Sequence, residues 1–273
     1  AKVIAVDPGA RTVRTEFDHP LWAAIEAPAE EPISFSLPIA CEVGTTCFIL
    51  NYLDNDPSPQ ARDYHCGDRT NDGHDGTDFR LPSLEQQQTG VDVLAAAAGI
   101  VVSARDGMPD VSIREAGSEP VRGRECGNGI LLAHRNGWVT QYCHMARDSI
   151  RVKPGQRVEA GTPIGRVGLS GKTEFPHLHF SVRLHDQKVD PFAYGQGEGA
   201  CATGNSLWEA SVRDKLSYRQ REIINFGFAD GPVSMNQIES GEVRRHPPKV
   251  DSPALVAYVR AIGLKAGDEL ELG

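Results

Sequence analysis

The sequence predicts a mainly β protein whose central domain is a β-sandwich or a barrel-like sheet. Between about residues 41 and 194, short runs of alternating or β-branched residues, such as "CFILNYLD" and "HLHFSVRL", are separated by Gly, Asn, Asp and Pro. The stretch "HRNGWVTQY" places Asn-Gly between two such runs, which is the strongest short signal for a β-hairpin. Because no strong amphipathic helix interrupts these runs, the sheet edges must be hidden by closure or by packing two sheets together.

Composition divides the chain of 273 residues into three parts. Residues 1–40 are rich in Pro, Ala and Glu, and we expect an extended lead-in that straps onto the central domain at 41–196. A change to Gly, Ala and Ser near residue 197 indicates a boundary. Residues 197–273 predict a linker and a small C-terminal β-rich module: a short helix and a strand, then two strands across a Lys-Ala-Gly-Asp turn. The last strand ends at Gly273 without a partner, so we expect a truncated module or a short complete appendage.

Charge and hydropathy exclude two classes of partner. The net charge is −9 and no run of Lys or Arg stands out, which argues against nucleic acid or an anionic membrane surface. The longest apolar run, near Val93–Val102, is far too short to span a bilayer. The chain begins at Ala1 without a charged-then-apolar leader, as expected if a secretory signal has been removed or if the sequence simply starts there.

The cysteine pattern indicates a protein of an oxidising compartment, although reduced, buried thiols in a cytosolic protein fit the composition equally well. There are six cysteines and no CxxC pair, so a structural zinc ribbon is not expected. Cys143 precedes His144, but adjacent strand residues face opposite ways, which argues against a Cys/His nucleophilic pair. The hairpin from Cys126 to Cys143 brings its ends together and predicts a disulfide there. The remaining cysteines allow three pairings and are Cys41, Cys47, Cys66 and Cys201.

Two histidine patterns are candidates for metal or proton chemistry. In "PHLHF", His177 and His179 are two apart, so a strand places both imidazoles on one face and Leu178 and Phe180 on the other. Two partly exposed histidines on a polar strand face would give the same pattern. In "NDGHDGTDF", a histidine and an aspartate lie four apart among glycines that disfavour a helix. That stretch fits either half of a metal site or a solvated turn.

Five motifs occur together between Gly73 and Phe192, namely "GHDGTDF", "VLAAAAGIVV", "YCHM", "VKPGQRVEAGTPIGRVGLSG" and "PHLHF". In this order they resemble the lysostaphin/LytM-type zinc peptidases, the twenty-third family of metallopeptidases. The resemblance implies a duplicated hybrid motif with lipoyl-like β architecture. The cysteine-bearing segments "CGNG" and "YCHM" are most similar to secreted members from Gram-negative bacteria.

Carried over residue by residue, the resemblance makes His74, Asp78 and His179 the ligands of one Zn²⁺ per chain, with water in the fourth position. It makes His144 and His177 the uncoordinated catalytic pair. One of them would move the proton and the other would stabilise the oxyanion, in an order that the sequence leaves open. The implied activity is that of a metallo-endopeptidase hydrolysing peptide bonds, with peptidoglycan stems or cross-links as the expected substrate.

Other functions remain open from the sequence. Glu174 and Phe175 replace the small residues that usually precede HxH in this family, which puts the substrate in question. One alternative is a non-catalytic, LytM-like cell-wall binding or activator module, and another is an endopeptidase acting on non-wall proteins. Lipoyl or biotinyl modules and phosphocarriers share the architecture but lack support here, since the modifiable hairpin lysine is missing and a phosphocarrier is usually cytosolic.

The resemblance also implies a location and a partner. An exported protein is expected, in the periplasm, at the outer surface or outside a bacterium. The role of the C-terminal module stays open: it is a candidate for binding the cell wall or a regulatory protein partner, or for covering the groove.

Overall fold

The computed structural model describes residues 32–197 and 199–271, together with the backbone of two short strands nearer the N-terminus. The strands are β1 Lys2–Val6, β2 Val13–Glu16, β3 Phe48–Asn51, β4 Thr77–Arg80, β5 Asp92–Leu94, β6 Gly99–Arg105, β7 Asn128–Ala133, β8 Trp138–Met145, β9 Arg157–Val158, β10 Pro163–Arg166, β11 His177–Leu184, β12 Gln187–Val189, β13 Glu222–Ala229 and β14 Val256–Ile262. The α-helices are α1 Leu84–Gln88, α2 Ile113–Ala116, α3 Ala210–Arg213, α4 Met235–Ser240 and α5 Glu242–Arg245. Within the described ranges, no helix has the length and apolar character needed to cross a membrane.

The prediction of a mainly β fold is confirmed. Seven strands form an antiparallel sheet in the order β3-β4-β11-β8-β7-β6-β9, and β12 pairs with β11 to make the eighth. A separate antiparallel pair, β5 with β10, contributes Val93 and Ile164 to the same apolar core. Tyr142, Leu178 and Phe180 line this core from β8 and β11 and are fully or almost fully buried. Because Leu178 and Phe180 of β11 point into this core, the side chains that alternate with them must point to the opposite face of the sheet.

The hairpin predicted around Asn-Gly is formed by β7 and β8. Asn136 and Gly137 have φ values of +54° and +77°, the left-handed region that a tight hairpin connection requires. The turn closes with the amide of His134 donating to the carbonyl of Trp138 at 2.8 Å. Asn and Gly tolerate this conformation better than other residues, so the local sequence explains the turn.

All six cysteines are paired. The predicted disulfide between Cys126 and Cys143 is confirmed, with their Cα atoms 4.8 Å apart. The pairings that the sequence left open are Cys41 with Cys47 and Cys66 with Cys201. The last of these joins residues 135 positions apart and ties the loop after β3 to the segment after β12.

The predicted lead-in lies outside the described residues up to residue 31, apart from the backbone of β1 and β2. Its last part, residues 32–40, packs into the main core through Phe35, whose ring makes edge contacts with Trp138, Phe180 and Trp208. The backbone of Phe35 also exchanges hydrogen bonds with Leu207 and Glu209. Residues placed in the predicted linker therefore complete the main core, and the domain boundaries remain a prediction.

The C-terminal module is built on β13 and β14, which pair antiparallel. A small apolar cluster of its own is formed by Ala229, Ile238, Val243 and Tyr258. The prediction of a second strand after the Lys-Ala-Gly-Asp turn is wrong for the described residues 269–271. The strand before that turn pairs with β13 instead. The turn is held by the side chain of Asp268, which accepts from the amide of Lys265 and from Arg221, the residue before β13 at the same end of this sheet. Leu272 and Gly273, where the predicted strand ends, lie outside the described residues.

His134 is a fully buried polar residue at the end of β7. Its Nδ1 lies 2.8 Å from the carbonyl oxygen of Ala98, and its Nε2 lies 2.8 Å from the hydroxyl of Thr140. Burial lowers the pKa of His134 to about 4, against a hydrogen bond to Ala98 that raises it. The imidazole is therefore neutral at physiological pH, and its two hydrogen bonds satisfy both ring nitrogens.

We expect His134 to make the fold sensitive to acid. Between pH 6.5 and 4, the unfolded chain binds a proton at this residue and the folded chain does not. The contribution of His134 to the free energy of unfolding is therefore highest above pH 6.5, where both states are neutral at this residue, and it decreases as the pH falls below that value. The free energy of unfolding of the wild type should fall by about 3 kcal/mol more than that of His134→Gln over this range. Urea unfolding with EDTA, followed by tryptophan fluorescence at several pH values, measures the difference. Parallel curves for the two proteins would contradict the expectation.

Candidate metal centre

The register between β4 and β11 places the first group of candidate residues. Asp78 lies directly opposite His179, and Arg80 lies opposite His177. Directly opposed residues of an antiparallel pair share a face, as do residues two apart on one strand. Asp78, His177 and His179 therefore point to the same side of the sheet, away from the buried Leu178 and Phe180.

His74 reaches the same side from the turn before β4. Gly73 has a φ of +71°, and its amide donates to the carboxylate of Asp54. A Cβ at Gly76 would lie 2.5 Å from the carbonyl oxygen of Phe180, so a side chain there would prevent the turn from approaching β11. The Nδ1 of His74 lies 2.7 Å from the carbonyl oxygen of Tyr52 and donates to it. This leaves Nε2 with its lone pair, 3.0 Å from Oδ2 of Asp78.

His74, Asp78 and His179 form a group that fits a zinc ion. One ligand atom from each lies within 4.8 Å of the others, and no other group of three His, Cys, Asp or Glu residues with this geometry occurs in the described part of the chain. Two imidazoles and one carboxylate are a common ligand set of catalytic zinc, which keeps a position for water or substrate. The chemistry and the spacing of the donors therefore agree with the ligand set that the resemblance implied.

Two further residues hold these side chains in place. The amide of Asn51, opposite Asp78 on β3, donates to Oδ2 of Asp78 at 2.9 Å. Oδ1 of Asp75 lies 3.2 Å from Nε2 of His179, while Nδ1 of His179 lies 2.9 Å from Oδ1 of Asp78. Asp75 is itself paired with Arg183 at 3.4 Å. A carboxylate on the outer nitrogen of a metal-binding histidine fixes its ring orientation, and Asp75 is placed for this task.

His144 and His177 lie beside this group as a pair. Their ring centroids are 4.6 Å apart, and that of His144 is 6.1 Å from the ring of His179. Nδ1 of His144 donates to the carbonyl of Ser170 at 2.8 Å, and Nδ1 of His177 lies 3.0 Å from the carbonyl of Phe175. With each Nδ1 bound to a carbonyl, proton transfer falls to Nε2, which in His177 also lies 3.4 Å from Oδ1 of Asp78.

His144 owes its position to a β-bulge. Cys143 and His144 of β8 together lie opposite the single residue Gly129 of β7, and His144 has a φ of +61°. A bulge of this kind re-aims a side chain out of the strict strand alternation. The amide of His144 donates to the carbonyl of Cys126, whose sulfur is bonded to Cys143, so the disulfide fastens the bulge. With Cys143 in a disulfide, the Cys/His nucleophilic pair is excluded.

The electrostatics of the centre favour a charged Asp78 and a neutral His144. Burial raises the pKa of Asp78, but the imidazoles of His74 and His177 outweigh it and lower the pKa well below its usual value. Burial lowers the pKa of His144 well below its usual value, and the neighbouring histidines lower it further. Burial also lowers the pKa of His179, but the carboxylates of Asp75 and Asp78 raise it to about 9. Asp78 is therefore a charged ligand candidate, and His144 is a neutral base candidate.

All five residues that the sequence singled out lie together in one centre, and their roles remain predictions. The sequence analysis did not identify Asn51 as a partner of Asp78, nor Asp75 as a partner of His179. The carbonyls of Tyr52, Ser170 and Phe175 carry no side-chain signal, so no motif could have revealed them.

Comparisons with known proteins agree with this geometry. Residues 72–191 match the family model described as Peptidase family M23. The chain is 31% identical over 117 residues to the peptidoglycan DD-endopeptidase ShyA of Vibrio cholerae, covering 43% of this chain and 22% of that protein. It is 34% identical over 105 residues to the cell division protein DipM of Caulobacter vibrioides, covering 38% of this chain and 16% of that protein. The matches thus span less than a quarter of either relative.

Among solved structures, the catalytic domain of lysostaphin from Staphylococcus simulans matches with 27% identity and a TM-score of 0.34, covering 52% of this chain and 85% of that one. The residues matched by the family model include His74, Asp78 and His179 as well as His144 and His177. On the sequence matches, this chain contains a peptidase family M23 domain, homologous to the matching segments of ShyA and DipM.

Proposed function

We propose that the M23 domain of this chain is a zinc-dependent endopeptidase that hydrolyses peptide bonds in bacterial peptidoglycan. The observation that carries the proposal is the group of His74, Asp78 and His179, with ligand atoms within 4.8 Å, beside the buried pair of His144 and His177. The substrate rests on the relatives, because ShyA is described as a peptidoglycan DD-endopeptidase.

His74, Asp78 and His179 are the residues that would hold the metal. Zinc in this place would supply Lewis-acid chemistry, lowering the pKa of a water molecule and polarising the peptide carbonyl. Asp78 contributes the negative charge of the ligand set. Asp75 orients the imidazole of His179, and the carbonyl of Tyr52 orients that of His74, towards the position that the metal would take.

His144 and His177 divide proton transfer and oxyanion stabilisation between them in this proposal. The Nε2 of one accepts a proton from the attacking water and gives it to the leaving amine as the C–N bond breaks. The other acts as an imidazolium, with Nδ1–H on its carbonyl, and its Nε2–H donates a hydrogen bond to the substrate carbonyl oxygen as negative charge develops there. Both nitrogens are presented for this because each Nδ1 is engaged by a carbonyl. The HExxH glutamate of another zinc peptidase class is absent from the sequence, so these histidines replace it.

Export of the protein follows from the same proposal. Three disulfides in one chain are typical of proteins outside the reducing cytosol. The periplasm, the outer surface and the medium are all consistent with a cell-wall substrate. The alternatives are a non-catalytic wall-binding module and an endopeptidase that acts on other proteins, and a cell-wall or regulatory protein could dock on the C-terminal module.

The purified protein is expected to hold about one zinc per chain and to release cleaved muropeptides from peptidoglycan. His179→Ala should lose both properties because it removes one of three protein ligands. Elemental analysis after dialysis measures the metal, and mass spectrometry identifies the products. His246→Ala is the matched control, since that histidine is exposed and lies outside the centre. Zinc without cleavage of peptidoglycan or peptides would favour the binding module, and no zinc would overturn the proposal.

His144→Ala and His177→Ala are expected to separate chemistry from metal binding. Each variant should retain zinc at the wild-type level, because neither residue belongs to the ligand set. Each should lower kcat by about 10²- to 10⁴-fold, because proton transfer or oxyanion stabilisation is lost. Metal analysis and initial rates on the same samples test both statements. A variant that loses zinc together with activity would place that histidine among the ligands.

Asp75→Asn is expected to weaken zinc binding while the fold is kept. Loss of the carboxylate beside Nε2 of His179 should raise the zinc Kd by about 10- to 100-fold. Competition with a chromophoric chelator measures the affinity independently of any cleavage. Asp72→Asn removes an exposed carboxylate three residues away and should bind zinc as the wild type does. Equal affinities for the two variants would show that Asp75 has no positioning role.

A further inference from the structure

A cluster of three arginines converges on one carboxylate next to the candidate metal centre. Glu239 of α4 accepts from Arg80 at 2.7 Å and from Arg114 at 2.9 Å, and its carboxylate lies 3.2 Å from Nη1 of Arg260. Arg114 is also paired with Glu174 at 2.8 Å. These residues come from β4, α2, the segment before β11, α4 and β14, so the cluster joins the C-terminal module to the M23 domain.

The cluster adjoins the catalytic histidine pair directly. Arg80 lies two residues after Asp78 on β4 and opposite His177 on β11, so it continues the same row of side chains. Its guanidinium lies 4.0 Å from the centre of the Phe175 ring. That ring is in turn 5.2 Å from the ring of His177. A molecule that extended from the metal centre along this face would meet Phe175 and then the arginines.

The arginines are not fully matched by the acidic groups around them. Three guanidinium groups face two carboxylates, Glu239 and Glu174, and the second of these pairs with Arg114 alone. The side chains of Arg80 and Arg260 are only 8% and 5% exposed. Within the described part of the chain, Nε of each is buried without a hydrogen-bond acceptor. Unsatisfied buried donors of charged groups are costly, and they are satisfied by an anion with more than one oxygen.

Arg260 retains its charge despite burial. Burial lowers the pKa of Arg260 to about 10, with the guanidinium of Arg80 acting in the same direction and Glu239 opposing it. A group with this pKa is still positive at neutral pH. The site is therefore suited to a carboxylate, whose two oxygens match the planar fork of a guanidinium.

Glu239 belongs to an element that is separate from the main core. Its helix packs through Ile238 on the small cluster of the C-terminal module. The module meets the turn after β4 through polar contacts, in which Arg260 and Asn225 donate to the carbonyl of Pro82. A carboxylate held by such contacts can be exchanged for another without disturbing the core of the M23 domain.

We propose that Arg80, Arg114 and Arg260 form a subsite for a carboxylate of the peptide substrate, and that Glu239 fills this subsite from within the chain. The proposal rests on the endopeptidase function proposed above, to which it adds a recognised chemical group. Glu239 then competes with an acidic or C-terminal carboxylate of the substrate, and Phe175 spaces that group from His177. The Glu174 and Phe175 residues that depart from the family pattern form the rim of this subsite.

The test compares a peptide carboxylate with its amide on the full-length protein. N-acetyl-Ala-Ala and its C-terminal amide are titrated by NMR into wild type and Glu239→Gln. The variant should bind the carboxylate form at least about tenfold more tightly than the amide, because a charge-assisted hydrogen-bond pair is gained. Wild type should discriminate less than about twofold. Adding Arg80→Gln to the variant should abolish the discrimination, and Glu242→Gln, an exposed glutamate on α5, should behave as wild type.

A second variant protects the test against loss of folding. Glu239→Asp keeps the negative charge but shortens the reach, so it should remain folded and give intermediate discrimination. If folded Glu239→Gln and Glu239→Asp bind the carboxylate and the amide equally, the cluster is a structural joint and the proposal is overturned. The titration needs no cleavage, so its outcome is distinct from that of the activity test. An inactive wild type with a discriminating variant would overturn the enzyme and retain the subsite.

Discussion

The centre depends on one pairing register, that of β4 against β11. Asp78 stands opposite His179 and Arg80 opposite His177, while Leu178 and Phe180 on the other face are fully buried. The apolar face fixes the register, because a slip by one residue would drive both histidines into the core. Burial of two apolar side chains therefore determines where two imidazoles and a carboxylate meet. On β11, the buried residues Leu178 and Phe180 thus determine the direction of His177 and His179, with which they alternate.

Strand alternation alone does not complete the centre, and local backbone geometry supplies the rest. His74 lies outside any strand and is turned inward by Gly73 and by the carbonyl of Tyr52. His144 adopts a left-handed conformation that a residue with a side chain ordinarily avoids. The disulfide of Cys143 and the hydrogen bond to Cys126 hold that conformation in place. The disulfide thus contributes to the site itself, because it lies next to the residue it positions.

Sequence reasoning succeeded where the signal was local. The period of two in "PHLHF", the Asn136-Gly137 turn and the closure of Cys126 on Cys143 each follow from a few neighbouring residues. It did not reach contacts between distant segments, such as Asn51 with Asp78 or Arg80 with Glu239, which are 27 and 159 residues apart. The partner of β14 was mistaken for the same reason. The sequence shows the turn that follows β14 and so suggested a partner strand directly after it, whereas the actual partner, β13, is more distant along the chain. The backbone carbonyls that orient the histidine rings could not be predicted either, because any residue type can supply a carbonyl.

One face of the sheet unites the proposed chemistry and the proposed recognition. Asp78 and Arg80 are two positions apart on β4, and their cross-strand partners are His179 and His177. A peptide whose carboxylate lies on Arg80 is therefore held at a fixed offset from the histidine pair by a rigid strand. Binding energy from a group remote from the scissile bond can then align the reacting carbonyl, which is how such energy is converted into rate. Because Glu239 occupies that position from the C-terminal module, the same contact that docks the module also withholds this alignment from a substrate.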